Sequence, residues 1–304
     1  MKVAVLYGGT SLERDGSLGT GAAAIEGLEA LGHEVVKVDP LDRESLALLK
    51  DCDIAFNCLA GGEGENGCMQ GYMNVMGIKY TGSGVQASAI GMNKVLFKEV
   101  LSQIGVPTSP FISEYKKGMS YEDIAEKLGP KFVIKAAAGG SSNGVYLVNG
   151  KEDFETLEVE EGYDLYYVEK FVKGREITVA ALTDLDGNVF TLPLVEFFYD
   201  AEMYDLTAKR NKPLVQKKSP ADLPEDLAEQ IRSYTKKIYR HLDCGGIARI
   251  DYIIEDGVPY ALELNTSPAL RHTSGMIIAW ESTMGNDYKD LINLILQDGL
   301  RRDR

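Results

Sequence analysis

Gly246-Ile247-Ala248-Arg249-Ile250-Asp251-Tyr252-Ile253-Ile254 and Tyr260-Ala261-Leu262-Glu263-Leu264-Asn265 stand on either side of Asp256-Gly257. Both runs are apolar, interrupted at every second residue by a polar one, which reads as two strands of a hairpin around a turn signal. Residues i and i+2 of a strand share a face, so Arg249 and Asp251 point one way and Ile250 the other. Glu263 and Asn265 likewise point together, away from Leu264. A three-residue loop, Asp256-Gly257-Val258, sets Asp251 opposite Glu263 and brings all four polar groups to one face. A two-residue loop places them on opposite faces, so the longer loop is expected. Two carboxylates and an amide oxygen on one face suit a hard, oxygen-seeking cation such as Mg²⁺ holding phosphate oxygens. The arginine beside them is placed to steady developing negative charge. The bland alternative is a solvated sheet face with ion pairs.

Upstream, Lys131–Lys135 and Val145–Val148 read as strands around Gly139-Gly140-Ser141-Ser142-Asn143-Gly144. Glycines let backbone N–H groups come close to phosphate, serines add donors, and Lys135 supplies a compact charge. The loop is not of the G-x-x-x-x-G-K-[ST] type, and a plain hairpin turn is the competing reading. Glu169-Lys170-Phe171-Val172, leading to Arg175-Glu176, is an extended segment able to offer backbone groups to a base edge and a carboxylate to ribose hydroxyls. Further hairpin strands are expected at Ile177–Thr183 and Val189–Leu194 around Asp186-Gly187. The long polar segment from Glu196 to Ala221 is expected to be a lid loop.

The chain begins differently. Val3–Tyr7 is a continuous apolar run ending at Gly8-Gly9, as in a parallel strand buried on both faces. Ser17 is expected to cap a helix with Leu18, Ala22, Ile25 and Leu28 along one stripe and Gly32 as its stop. Glu34–Val38 and Ile54–Leu59 return as strands, with a helical stretch over Glu44–Lys50 between them. This alternation predicts an open parallel α/β domain over residues 1–90. A single helix is expected over Val85–Leu101, and the later hairpins predict α+β architecture, divided into units 91–176 and 177–304.

The 304 residues carry 46 acidic against 32 basic side chains, a formal charge of −14. That balance argues against sequence-independent nucleic-acid binding, which needs clustered cations. No apolar run reaches the roughly 18 residues a membrane span requires. The four cysteines form no C-x-x-C pair and read as reduced thiols of a cytoplasmic protein. His33, His241 and His272 are too scattered for a metal trio. No G-x-G-x-x-G follows the first strand, so a dinucleotide-dependent dehydrogenase is excluded.

Taken in order, these motifs resemble the D-alanine–D-alanine ligases of the ATP-grasp superfamily. The resemblance runs from Gly8-Gly9-Thr10-Ser11-Leu12-Glu13-Arg14 through Tyr80-Thr81-Gly82-Ser83-Gly84, Met92-Asn93-Lys94, Lys135, Gly140-Ser141-Ser142, Glu169-Lys170 and Glu176. It ends with Arg249-Ile250-Asp251 and Glu263-Leu264-Asn265-Thr266-Ser267-Pro268. It implies an N-terminal α/β domain followed by a two-domain ATP-grasp fold with ATP clamped between its halves. It also implies a homodimer, and a role in making D-alanyl-D-alanine for peptidoglycan. By it, Lys94, Lys135 and Lys209 contact ATP phosphates, while Glu169, Lys170, Phe171, Val172 and Glu176 hold adenine and ribose. Asp251, Glu263 and Asn265 bind two Mg²⁺ ions, or Mn²⁺ in their place. Glu13 holds the first amino acid's amino group. Arg249, Gly140, Ser141 and Ser142 steady the acyl phosphate and the tetrahedral intermediate, and Ser274 takes the second substrate's carboxylate.

The sequence departs from the family pattern at Ala60, where a histidine is common, and at Arg210, where a tyrosine is. It departs again at Ala269, where a glycine follows the proline, and at Arg271-His272, which replace small polar residues. The departures gather around the amino-acid pockets. The alternatives they raise are a ligase of the same mechanism with another acceptor, such as a different amino acid or a hydroxy acid, and a nucleotide-binding protein without turnover.

Overall fold

The computed structural model describes residues 1–140, 143–199 and 216–303. Its first sheet is parallel, in the order β2 (Glu34–Val38), β1 (Lys2–Leu6), β3 (Ile54–Asn57). The helix Arg14–Ala30 packs on it. This helix starts three residues before Ser17, with Glu13 at its cap position. Ser17 is used elsewhere. Its buried hydroxyl accepts from Gly8 N at 2.8 Å and donates to Cys58 O at 2.8 Å. It thereby ties the turn after β1 to the end of β3. Gly32 ends the helix as expected, in the left-handed region at φ 78°.

That turn is pinned a second time. Asp39 accepts from Gly9 N and Leu41 N, both at 3.0 Å, and from the Arg14 guanidinium at 2.6 and 3.1 Å. The Arg14 hydrogen bonds hold the Asp39 carboxyl down at about 2, against the opposing effect of its partial burial. A depressed carboxylate contributes stability that is in place above its ordinary value of 3.8 and is lost as pH falls through about 2. Asp39→Asn is therefore expected to lower stability at neutral pH by on the order of 1 kcal/mol, discounted for partial exposure. The gap between variant and parent should close as pH falls from about 4 to 2, read by thermal denaturation at stepped pH.

The second sheet is antiparallel, in the order β4 (Phe111–Ile112), β7 (Tyr166–Lys170), β5 (Phe132–Ala136), β6 (Val145–Val148). It has its own core, which includes Ile124, Leu128, Phe132, Ile134 and Val168. The third sheet runs β11 (Gln216–Lys218), β10 (Val195–Phe198), β8 (Arg175–Thr183), β12 (Ile247–Glu255), β13 (Val258–Asn265), with β9 (Val189–Thr191) paired to β8. The expected lid segment thus begins and ends as paired strands, with Glu196 opposite Lys218; its residues 200–215 lie outside the described part.

The two faces of the third sheet differ sharply. Ile177, Val179, Ala181, Ala248, Ile250, Tyr252 and Leu264 are buried on one side, against the helix Glu225–His241. Ala87, Phe97, Leu101 and Val106 join that same core. This stretch therefore packs on the last sheet, while its Val95 packs with Ala137 and Tyr167 at the central one.

The long helix expected over Val85–Leu101 is two helices, Val85–Met92 and Lys94–Gln103. The break is at Asn93. Its side-chain oxygen accepts from Val95 N at 3.1 Å and Leu96 N at 3.2 Å, so Asn93 opens a new helix instead of continuing the old one. The break puts Lys94 at a helix start, with its N–H donating to Ala137 O at 2.9 Å. All four cysteines are free. Among the described residues no helix is long and apolar enough to cross a membrane.

Candidate active site

The β12–β13 hairpin carries the site, and its turn is shorter than expected. Glu255 pairs with Val258, leaving only Asp256-Gly257 in the loop. Asp256 at φ 50° and Gly257 at φ 78° both occupy the left-handed region, as the tightest hairpin turns demand. Unbroken, this register would set Asp251 opposite Leu262. A bulge corrects it: Tyr252 faces Ala261, while Asp251 faces Glu263 and Arg249 faces Asn265. Leu262 is the extra residue, and it turns into the cleft. The expected pairing of Asp251 with Glu263 is present, produced by a bulge and not by a longer loop.

Arg249, Asp251, Glu263 and Asn265 therefore share the face opposite the apolar core. The Arg249 guanidinium donates to both Asp251 oxygens at 2.9 Å. Thr178 on β8 donates to Asp251 at 2.5 Å, and the Asn265 amide approaches it at 3.3 Å. Lys94 reaches Glu263 at 3.7 Å while donating to Gly139 O at 2.6 Å. Burial opposes the charge on Arg249, but Asp251, Glu263 and Glu65 together keep its pKa above the ordinary value. The donor set fits Mg²⁺: two carboxylates and an amide on one face, part-exposed, with hard oxygens turned to a cavity.

That cavity is about 1360 Å³ and runs between the second and third sheets to the N-terminal domain. It is larger than a single small-molecule pocket, typically about 300–1,000 Å³. Val133, Val145, Val172, Ile253 and Leu262 make one stretch of its wall apolar. Lys135 and Glu169 lie in the same wall, on neighbouring strands β5 and β7. Glu169 is buried between two lysines, in contact with Lys135 and 2.7 Å from Lys98. Burial alone would raise the Glu169 carboxyl, but Lys135 and Lys98 hold it well below the usual range. Its carboxylate is committed to positioning lysines. Lys170 turns to Glu255 at 3.0 Å, and Phe171 lies under the Lys131 ammonium at 4.4 Å. Val172 is buried, and Glu176 accepts from Tyr199 OH at 2.8 Å.

At the other end, Glu13 lies against two glycines. A β-carbon at Gly61 would be 2.5 Å from its Oε2, and one at Gly140 would be 2.7 Å away. The missing side chains let the glycine lip meet Glu13. Ser274, Ala269, Arg271 and Ala60 line this same end. His272 instead pairs with Glu281 at 3.2 Å and is absent from the lining. Ser141, Ser142, Lys209 and Arg210 lie outside the described residues.

Lys98 and Glu65 are residues that sequence reasoning missed. Lys98 is fully buried, donating to Thr108 Oγ1 at 2.9 Å and Ser109 Oγ at 2.7 Å. Its signal was position: it falls on the same helical stripe as Lys94 and Leu101. Glu65 accepts from Gly61 N at 3.0 Å, Thr266 N at 3.0 Å and Ser267 N at 3.1 Å. Burial pushes its carboxyl up to about 7, with the Glu13 charge adding, against the N–H groups that favour the ionised form. It joins the N-terminal domain to the residues just beyond Asn265.

The D-ala D-ala ligase C-terminus family matches residues 100–297. The chain belongs to the D-alanine–D-alanine ligase family. D-alanine–D-alanine ligase from Moorella thermoacetica is 38% identical over 97% of this chain and 98% of its own length. The enzyme of the same name from Geobacter sulfurreducens is 37% identical over 97% of this chain and 93% of its own. The crystal structure of D-alanine–D-alanine ligase from Bacillus anthracis complexed with ATP superposes with a TM-score of 0.84. It is 29% identical and covers 99% of this chain and 98% of that one. The α/β domain followed by antiparallel sheets is thus the ligase fold, and the chain is an enzyme of that class.

Proposed function

We propose that this ligase uses ATP in the cytoplasm to activate the carboxylate of D-alanine as an acyl phosphate. It then joins that carboxyl to the amine of a second amino acid, D-alanine in the reaction for which its relatives are named. The observation that carries this is one shared cavity. The Arg249, Asp251, Glu263 and Asn265 face, Lys94 and Lys135 open into it together with Glu13 and Ser274 at its far end. A binding protein has no need of two carboxylates, an amide and an arginine on one face.

In this reading Lys94 and Lys135 neutralise the nucleotide phosphates, and Glu169 and Lys98 keep Lys135 in place. Lys170, Phe171, Val172 and Glu176 border the adenine and ribose. Asp251, Glu263 and Asn265 hold two Mg²⁺ ions, which when bound supply charge neutralisation for in-line phosphoryl transfer. Glu13 holds the donor's ammonium, so its carboxylate attacks the γ-phosphorus and ADP leaves. The acceptor's amine nitrogen then bonds to the acyl carbon and the acyl–phosphate C–O bond breaks. Inorganic phosphate departs, and the amine proton passes to solvent. Arg249 and Gly140 face the charge that builds on the acyl oxygens. No covalent enzyme intermediate is required.

The test is phosphate release with ATP, Mg²⁺ and a panel of D- and L-amino acids, with the dipeptide identified by mass. Release that depends on D-alanine, with one phosphate per dipeptide, is expected. No release with any amino-acid pair overturns the ligase reading.

A further inference from the structure

Arg271 lines the amino-acid end of the cavity. Among the described residues its guanidinium makes no hydrogen bond and no ion pair. The residue is only half-buried, and among the described residues it stands unpaired in a chain with 46 acidic side chains. The side chain is nonetheless specifically seated. Its stem crosses the helix Arg14–Ala30 at Gly19, where a β-carbon would lie only 2.6 Å from Arg271 Cδ. A helix-interior glycine costs up to about 1 kcal/mol relative to alanine, and here it opens the slot through which the arginine runs.

Ser274 stands in the same turn, closed by Ser274 N donating to Arg271 O at 2.8 Å. Its Oγ is shielded from solvent and has no hydrogen-bond partner among the described residues. One turn thus presents two groups that await an oxygen ligand, a hydroxyl and a guanidinium. A substrate with a single carboxylate satisfies one of them. Ala60, whose side chain is a single methyl, lines the same cavity.

We infer that the acceptor is an amino acid with an acidic side chain, its α-carboxylate met by Ser274 and its second carboxylate by Arg271. This rests on the ligase reading above. It makes Arg271 a specificity-determining residue, with the guanidinium fork matched to a carboxylate in two parallel hydrogen bonds. An uncharged amide of the same shape would leave the guanidinium without its partner.

The experiment uses the full chain with ATP, Mg²⁺ and D-alanine as donor. It compares D-aspartate and D-glutamate as acceptors with D-asparagine, D-glutamine and D-alanine, reading phosphate release and product mass. At least one acidic acceptor is expected to exceed its own amide in kcat/KM by about tenfold or more. Arg271→Gln should bring that acid-to-amide ratio to within about twofold, while Arg271→Lys retains part of it. The KM for donor D-alanine should be unchanged in both. Acidic acceptors no better than their amides in the parent enzyme overturn the inference whether or not the variants fold, as does a ratio that survives Arg271→Gln. In either case release with D-alanine alone leaves the ligase reading standing. Release with no pair at all overturns both.

Discussion

Glu263→Gln is expected to lower ATP-dependent phosphate release by on the order of a thousandfold, with the fold intact. Cation and charge stabilisation in phosphoryl transfer is worth several kcal/mol, and each 1.4 kcal/mol or so is tenfold in rate. Glutamine keeps the shape of the side chain but removes the anionic oxygens that stand beside Asp251 on the facing strand and Asn265 two residues along the same one. Stability should barely move. Glu263 is about one-third exposed and its ion pair with Lys94 is long, at 3.7 Å, a class of contact worth about 0–1 kcal/mol. Asp251→Asn should be equally inactive but less stable, because Arg249 then loses a bidentate partner held at 2.9 Å on both oxygens. Phosphate release and the thermal midpoint, measured on the same preparations, separate chemistry from folding. Near-normal turnover in either variant contradicts the cation assignment.

The second large effect is on stability. Glu169→Gln should destabilise the chain by about 3–5 kcal/mol, the usual consequence of removing one member of a buried ionic cluster. Two lysines would then face a neutral amide, and one of them, Lys98, has no solvent exposure. Its remaining contacts, to Thr108 and Ser109, stabilise an ammonium but do not neutralise it. Lys98→Met should cost far less, since Glu169 keeps Lys135 as a partner. Urea unfolding midpoints for the two variants give the comparison. A Glu169→Gln protein as stable as its parent would mean that the carboxylate does not hold the pair. Loss of Lys135 positioning should also appear as a raised KM for ATP in whatever fraction stays folded.

Much of this arrangement could be read in the sequence because periodicity carries it. The alternation over Arg249–Asp251 and Glu263–Asn265 already requires one polar and one apolar face, whatever the partners. What could not be read were the places where a side chain overrides the pattern. Asn93 is polar in a helical run and looks tolerable there; only its hydrogen bonds to Val95 and Leu96 show that it starts a helix. Ser17 has the composition of a cap but is spent on Gly8 and Cys58. The bulge at Leu262 is invisible because two errors cancel. A short turn and one extra residue yield the same facing pair as a long turn and none. Lys98 and Glu65 were hidden for another reason: their partners are 71 and more than 200 residues away, beyond the reach of local spacing.

One apolar core contains Val3, Val5, Ile54 and Phe56 from the first sheet together with Leu182, Ile247, Trp280 and Leu291 from the last part of the chain. Glu65 fastens the same two regions by hydrogen bonds. Prising them apart would wet a continuous hydrocarbon interior, so they form an anvil. The small antiparallel sheet, sealed around aromatic side chains of its own, is the hammer. The two meet where Val95 packs with Ala137 and Tyr167 and where Lys98 pairs with the buried Glu169, so that joint sets where Lys135 stands relative to Asp251 and Glu263.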